Sequence, residues 1–96
     1  MDLAEFQHRI EHLYGARDRE RGLFRTFSWL VEEVGELARA LRRDDRENLE
    51  LEFADVTAWL VSIASMVGID VAAAVEKAYG KGCPRCGEDP CACPMR

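Results

Sequence analysis

Trp29-Leu-Val-Glu-Glu-Val-Gly-Glu-Leu-Ala-Arg-Ala-Leu41, followed further on by Leu51-Glu-Phe-Ala-Asp-Val-Thr-Ala-Trp-Leu60, sets five carboxylates inside two strongly helical, apolar segments. At about 100° per residue, Glu36 lies between Glu32 and Glu33 on one helix face, and Glu52 and Asp55 sit roughly 60° apart on the other helix. The first segment carries an apolar arc of Leu23, Phe27, Leu30, Val34, Leu37, Ala38 and Leu41, with its three glutamates on the other side. In the second, Leu49, Phe53, Val56, Leu60, Ile63 and Val67 form the arc, and Glu52 falls within about 50° of its centre. Asp55 sits at the edge of that arc, beside Trp59 and Met66. Acids bordering an apolar arc need partners. Arg39, Arg42 and Arg43 are too few to neutralise all five.

Working outward, the apolar period predicts helices over 3 to 14, 22 to 43, 46 to 67 and 70 to 79, and no strand period is sustained. Leu3, Phe6, Ile10 and Leu13 stripe the first helix, while Gly15 to Gly22 reads as a charged connector flanked by glycines. Asp44-Asp45 marks a tight turn, so the two acidic helices are expected to form an antiparallel hairpin that brings their carboxylates together. A chain of 96 residues holds one domain. The expectation is an all-α, four-helix-bundle-like domain over residues 1–80 with a short cysteine-rich tail over 81–96. So short a chain, with one helix apolar nearly all round, is expected to associate with copies of itself.

An oxygen-only ligand set with no nearby His or Cys suits a hard divalent ion, Mg²⁺ first and Mn²⁺ second. Such ions keep water and bind phosphate oxygens, which makes a polyphosphate the natural substrate class. Carboxylate-bridged iron is the weaker reading, because that chemistry uses Glu-x-x-His pairs and neither acidic helix contains a histidine. His8 and His12 have ligand-like spacing but point away from the apolar stripe of the first helix, as solvent-facing histidines do.

Glu32-Glu33-x-x-Glu36 followed after a gap by Glu52-x-x-Asp55, together with Val67-Gly-Ile-Asp70 at the start of the next helix, resembles the MazG-type all-α nucleotide pyrophosphohydrolases. The resemblance covers about Arg21 to Tyr79. It implies Mg²⁺-dependent hydrolysis of a nucleoside triphosphate to its monophosphate and pyrophosphate, in a homodimer or a homotetramer. Carried over by position, it makes Glu33, Glu36, Glu52 and Asp55 the principal Mg²⁺ ligands. For Glu32 it leaves two roles open, a ligand to a further ion or a general base for the attacking water. Gly35 costs its helix roughly 1 kcal/mol against Ala, and close approach of a helix or of a ligand are equal explanations for it.

Trp29 shares the glutamate side of its helix and Trp59 the Asp55 edge of its own, so either indole is a candidate for stacking on a base or for an apolar interface. Arg17, Arg19, Arg21, Arg25, Lys77 and Lys81 are candidate phosphate contacts, with Arg21 and Lys77 singled out because they flank the functional helices. A net charge of −5 argues against a general nucleic-acid binder. No apolar run approaches about 20 residues, and the N-terminus lacks a signal-peptide pattern. The expectation is a cytoplasmic protein with neither nucleic acid nor membrane as partner.

All four cysteines fall in Lys81-Gly-Cys-Pro-Arg-Cys-Gly-Glu-Asp-Pro-Cys-Ala-Cys-Pro94. Cys83-Pro-x-Cys86-Gly has the form of a zinc knuckle, and Cys91-x-Cys93 can complete a Cys₄ site. Free thiols and disulfides are the alternatives, the latter disfavoured in a reducing compartment. A closed Cys₄ site is structural, since it leaves no open position. Two further functional readings stand beside the general pyrophosphohydrolase: a relative restricted to dUTP, dCTP or phosphoribosyl-ATP, and a non-enzymatic helical interaction module with a zinc-dependent tail.

Overall fold

In the computed structural model, which describes residues 1–95, the chain forms four helices: α1 (Leu3–Arg21), α2 (Leu23–Arg43), α3 (Arg46–Met66) and α4 (Val71–Tyr79). No strand occurs among the described residues, so the all-α expectation holds. Three helices begin on an aspartate whose carboxylate accepts a backbone N–H left free by the first turn: Asp2 from Glu5, Asp45 from Asn48 and Asp70 from Ala73. Asp44, in the left-handed region at φ 50°, closes α2 and lets the chain reverse into α3 within two residues. The hairpin read from Asp44-Asp45 is thus present.

The segment read as a connector, Gly15 to Gly22, is helical up to Arg21, and only Gly22, at φ 91°, separates α1 from α2. Three of its five charged residues pair within the chain, while Arg17 and Glu20 face solvent. Arg19 Nη1 reaches Glu11 Oε1 at 2.6 Å, and Arg21 Nη1 reaches Asp18 Oδ1 at 3.0 Å. Ile10, Gly15 and Asp18 form the buried side of this longer helix, which lies mainly against α3. At its N-terminal end the Gln7 amide donates to Ser65 Oγ and to the Ile69 carbonyl, while its oxygen accepts from Val71 N. One side chain thereby ties α1 to the end of α3 and the start of α4.

The α2–α3 hairpin also corrects the direction of the apolar arcs. Its inner seam runs through Thr26, Leu30, Glu33, Leu37 and Ala40 on α2 and through Leu49, Glu52, Val56, Trp59 and Ile63 on α3. Thr26 and Ala40 are small and fully enclosed, which lets the two helices approach closely. The seam lies beside each arc rather than at its centre. Phe27, Val34 and Leu41 on α2, Phe53 and Leu60 on α3, and Val67 at its C-cap consequently remain about half exposed. In an antiparallel pair, residues one position beyond the facing stripe turn to the same side on both helices, so these six form one apolar flank.

The chain exposes 7596 Å², where a folded monomer of this mass exposes about 5,600 Å². Its radius of gyration is 15.6 Å, against about 12–13 Å for a compact domain of this length. No single helix among the described residues is long and apolar enough to cross a membrane.

Candidate active site

The inner seam carries acids from both helices. Carboxylate oxygens of Glu33, Glu52 and Asp55 lie within 4.8 Å of one another. Glu52 is 8% exposed, and its Oε2 has no hydrogen-bond partner. Glu36 is half-buried at the rim of this group, where its Oε2 lies 3.6 Å from Arg39 Nη1. Glu32 is exposed and stands outside the group. Of the five acids singled out in the sequence, then, three converge, one borders them and one faces solvent.

Electrostatics sharpen this arrangement. Burial pushes the Glu33 carboxyl above the ordinary glutamate range. The charges of Glu52 and Asp55, a hydrogen bond with Glu52 and the charge of Glu36 push it the same way. A buried carboxylate oxygen without a donor, facing two further carboxylates with no cation among them, fits a hard divalent ion of the Mg²⁺ type.

A pH dependence follows. Because folding raises the Glu33 pKa, its contribution to stability is complete below the unfolded-state value and is lost as pH rises through the folded-state value. The Tm of the metal-free protein is expected to fall across that window. Glu33→Gln removes this slope and raises the metal-free Tm near neutral pH by about 2–5 °C, in the range that a fraction of a kcal/mol gives a domain of this size. Thermal scans with a chelator from pH 4 to 8 check it; an unchanged slope in the variant sinks the assignment of the strain to Glu33.

The two indoles flanking the acids lie on one another. Trp29 and Trp59 stack with ring centroids 6.3 Å apart and planes 16° from parallel. Arg21 covers Trp59 with its guanidinium 5.2 Å from the ring centroid, in cation–π geometry. The same guanidinium donates to Asp18 Oδ1 and, at 3.4 Å, to Thr26 Oγ1. Arg21, singled out as a phosphate contact, is therefore held by an internal network. Lys77 is exposed on α4, a helix that packs mainly on α1 rather than on the acidic hairpin.

A cavity of about 430 Å³ opens between α1 and α3, with Asp55, Trp59, Arg21, Asp18, Arg17 and Tyr14 in its wall. Asp55 belongs to both the cavity and the acid group, which makes the two one continuous site. A second hollow, of about 330 Å³, surrounds Gln7 and Ser65 and contains none of the five acids. Sequence reading missed Asp18. It is 2% exposed, its Oδ2 lacks a partner, and it faces the cavity. The signal that could have found it is the Asp18-x-x-Arg21 spacing, an i, i+3 ion pair that belongs on a helix. Gly35 is exposed, and a Cβ built there would meet nothing within 4 Å, so no helix of this chain requires the glycine.

Apart from this site, the tail gathers its cysteines. Sulfur atoms of Cys83, Cys86, Cys91 and Cys93 lie within 4.8 Å of one another, and none is disulfide-bonded. Hydrogen bonds from the Ala92 and Glu88 amides bring the Cys86 thiol down to about 6.

Comparison with known families agrees with the geometry. The family model described as MazG nucleotide pyrophosphohydrolase domain matches residues 23–88. The matched span begins at the first residue of α2, takes in α3 and α4, and ends between Cys86 and Cys91. α1, which supplies one wall of the cavity, precedes it. No curated protein matches the chain.

Proposed function

This chain belongs to the MazG nucleotide pyrophosphohydrolase domain family, and from that premise we propose that it hydrolyses a nucleoside triphosphate between the α- and β-phosphates, releasing monophosphate and pyrophosphate. The observation that carries the proposal is the convergence of Glu33, Glu52 and Asp55 within 4.8 Å, inside the matched segment. Held by these three, with Glu36 at the rim, a Mg²⁺ or Mn²⁺ ion would neutralise phosphate oxygens and activate the attacking water.

The protein's own residues account for the remainder. The carboxylates of α2 and α3 are fixed by a helical hairpin rather than by loops, so little reorganisation accompanies the reaction. Glu32, exposed outside the group, keeps the two roles the family resemblance leaves it, a ligand to a further ion or the general base for the attacking water. The Trp29–Trp59 stack offers a flat aromatic surface beside the acids for a base. The cavity wall adds Arg17 as a cation and, behind it, the buried, unpartnered Asp18 Oδ2 as an acceptor. No covalent nucleophile is required, since positioning and charge neutralisation suffice for transfer to water.

Self-association belongs to the same proposal. The apolar flank of the α2–α3 hairpin and an exposed area about 2,000 Å² above that of a monomer of this mass support a homodimer or a homotetramer. Pool housecleaning is the role that suits broad substrate use. Restricted use of dUTP, dCTP or phosphoribosyl-ATP would place the chain in a biosynthetic or nucleotide-balancing step.

The test is product analysis after incubation with Mg²⁺ and a panel of canonical, modified and deoxynucleoside triphosphates. Monophosphate with pyrophosphate is expected, and the panel ranks the substrates. Diphosphate with phosphate places the cut at the other bond and overturns the proposal. No turnover by folded, Mg²⁺-binding protein favours the interaction-module reading.

A further inference from the structure

The hydrolytic site uses none of the cysteines. We propose that Cys83, Cys86, Cys91 and Cys93 bind a single structural Zn²⁺ that fastens the C-terminal end of α4. The geometry is that of one small tetrahedral ion. With Zn–S bonds of about 2.3 Å, the edge of a tetrahedron of sulfurs is about 3.8 Å. Cys83 and Cys93 Sγ are 3.8 Å apart, and all four cysteines fit within a 4.8 Å limit. A disulfide needs about 2.05 Å. A cluster of several irons interposes sulfide between its thiolates and spreads them further than one ion does.

The surrounding backbone is built for thiolates. Gly87 N donates to the Cys83 carbonyl at 2.7 Å, and Cys83 N donates to the Glu88 carbonyl at 3.0 Å, closing a turn that aims Cys83 and Cys86 the same way. Gly87 takes φ 78° in that turn, a conformation that disfavours any residue with a Cβ. Ala92 N points at Cys86 Sγ and Cys93 N at Cys91 Sγ, both at 3.3 Å. Such N–H···S contacts orient and partly neutralise thiolates around a metal. All four cysteines bind as thiolates, leaving a net charge of −2 on the centre, and Lys81 and Arg85 lie in the same segment to offset it.

The mechanical need is local. α4 has only nine residues and none of them is buried; Val75 and Tyr79 are exposed. Its start is secured by the Asp70 cap and by Gln7. Its end leads straight into the tail, where Gly82 N caps the Tyr79 carbonyl and the cysteines follow. A segment too small for a hydrophobic core can obtain its order from a metal. Four thiolates leave no coordination position for substrate, so the ion is structural.

The experiment is elemental analysis and native mass spectrometry of the full chain, purified under reducing conditions from zinc-replete cells. It is followed by zinc removal with a thiol-directed mercurial and by hydrogen exchange of both forms. One zinc per chain is expected. Co²⁺ replacing it should give the visible bands and sulfur-to-cobalt charge transfer of a tetrahedral tetrathiolate, and Cys91→Ser should weaken zinc retention at least tenfold. Exchange should rise in α4 and the tail on zinc loss and stay unchanged in the α2–α3 hairpin. Iron in place of zinc, a mass showing two disulfides, or a reduced chain that takes up neither zinc nor cobalt overturns the site. Bound zinc with unchanged exchange in α4 overturns the fastening role. None of these readouts depends on turnover, so they stand apart from the hydrolase proposal.

Discussion

Glu52→Gln is expected to lower Mg²⁺-dependent turnover by about a thousandfold, equivalent to ~4 kcal/mol of transition-state stabilisation, while the protein stays folded. Glu52 is the most enclosed of the three converging acids, and its Oε2 has no hydrogen-bond partner. Exchange for the amide keeps the shape and removes the charge. The loss falls on the affinity for the divalent ion and on charge neutralisation at the phosphates, since a neutral oxygen is a far weaker ligand for Mg²⁺. The metal-free fold moves the other way. Removing one of three converging negative charges relieves repulsion in a partly desolvated seam, so the Tm in chelator should be unchanged or higher. Pyrophosphate release across a Mg²⁺ titration, paired with thermal melts, reads both effects. Activity within tenfold of the parent at saturating Mg²⁺ would remove Glu52 from the site.

Leu60→Lys should have an effect of comparable size by a different route. In the isolated chain Leu60 is about half exposed, and an exchange there would ordinarily change stability by no more than about 0.5 kcal/mol. If the flank formed by Phe27, Val34, Leu41, Phe53, Leu60 and Val67 is covered by a second copy, two like charges enter an apolar interface, with a cost of several kcal/mol per dimer. The variant should then sediment as a monomer and melt at least 10 °C below the parent. The parent's own Tm should rise with protein concentration, as linkage to association requires. Sedimentation and melts over a hundredfold range of concentration decide the matter. A parent that sediments as a monomer at micromolar concentration, or a variant that melts with it, sinks the self-association proposal.

The parts of this molecule legible in its sequence are those governed by local rules. Helical period, aspartate caps and the Asp44-Asp45 turn specify α2, α3 and their hairpin, and the hairpin is enough to bring Glu33, Glu52 and Asp55 together. What depended on packing was not legible. Arg17-Asp18-Arg19-Glu20-Arg21 has the composition of a solvent-exposed connector, and only its ion pairs to Glu11 and within itself show why α1 continues through it. The apolar arcs were sound as arcs. Their direction was not, because periodicity says that a face is to be covered without saying by what. The wheel also set Trp29 and Trp59 on the acid-bearing sides of separate helices; only the register of the hairpin places one ring on the other.

That ring pair has an optical consequence. The chain contains just two tryptophans, and both stand in the same stack beside the carboxylates. Indole emission from the unlabelled protein therefore originates at a single place, where Trp59 lies under a guanidinium and in the cavity wall. The molecule carries its own fluorophore within the proposed site, so a nucleotide that binds there as proposed should register in stopped-flow traces without any added dye.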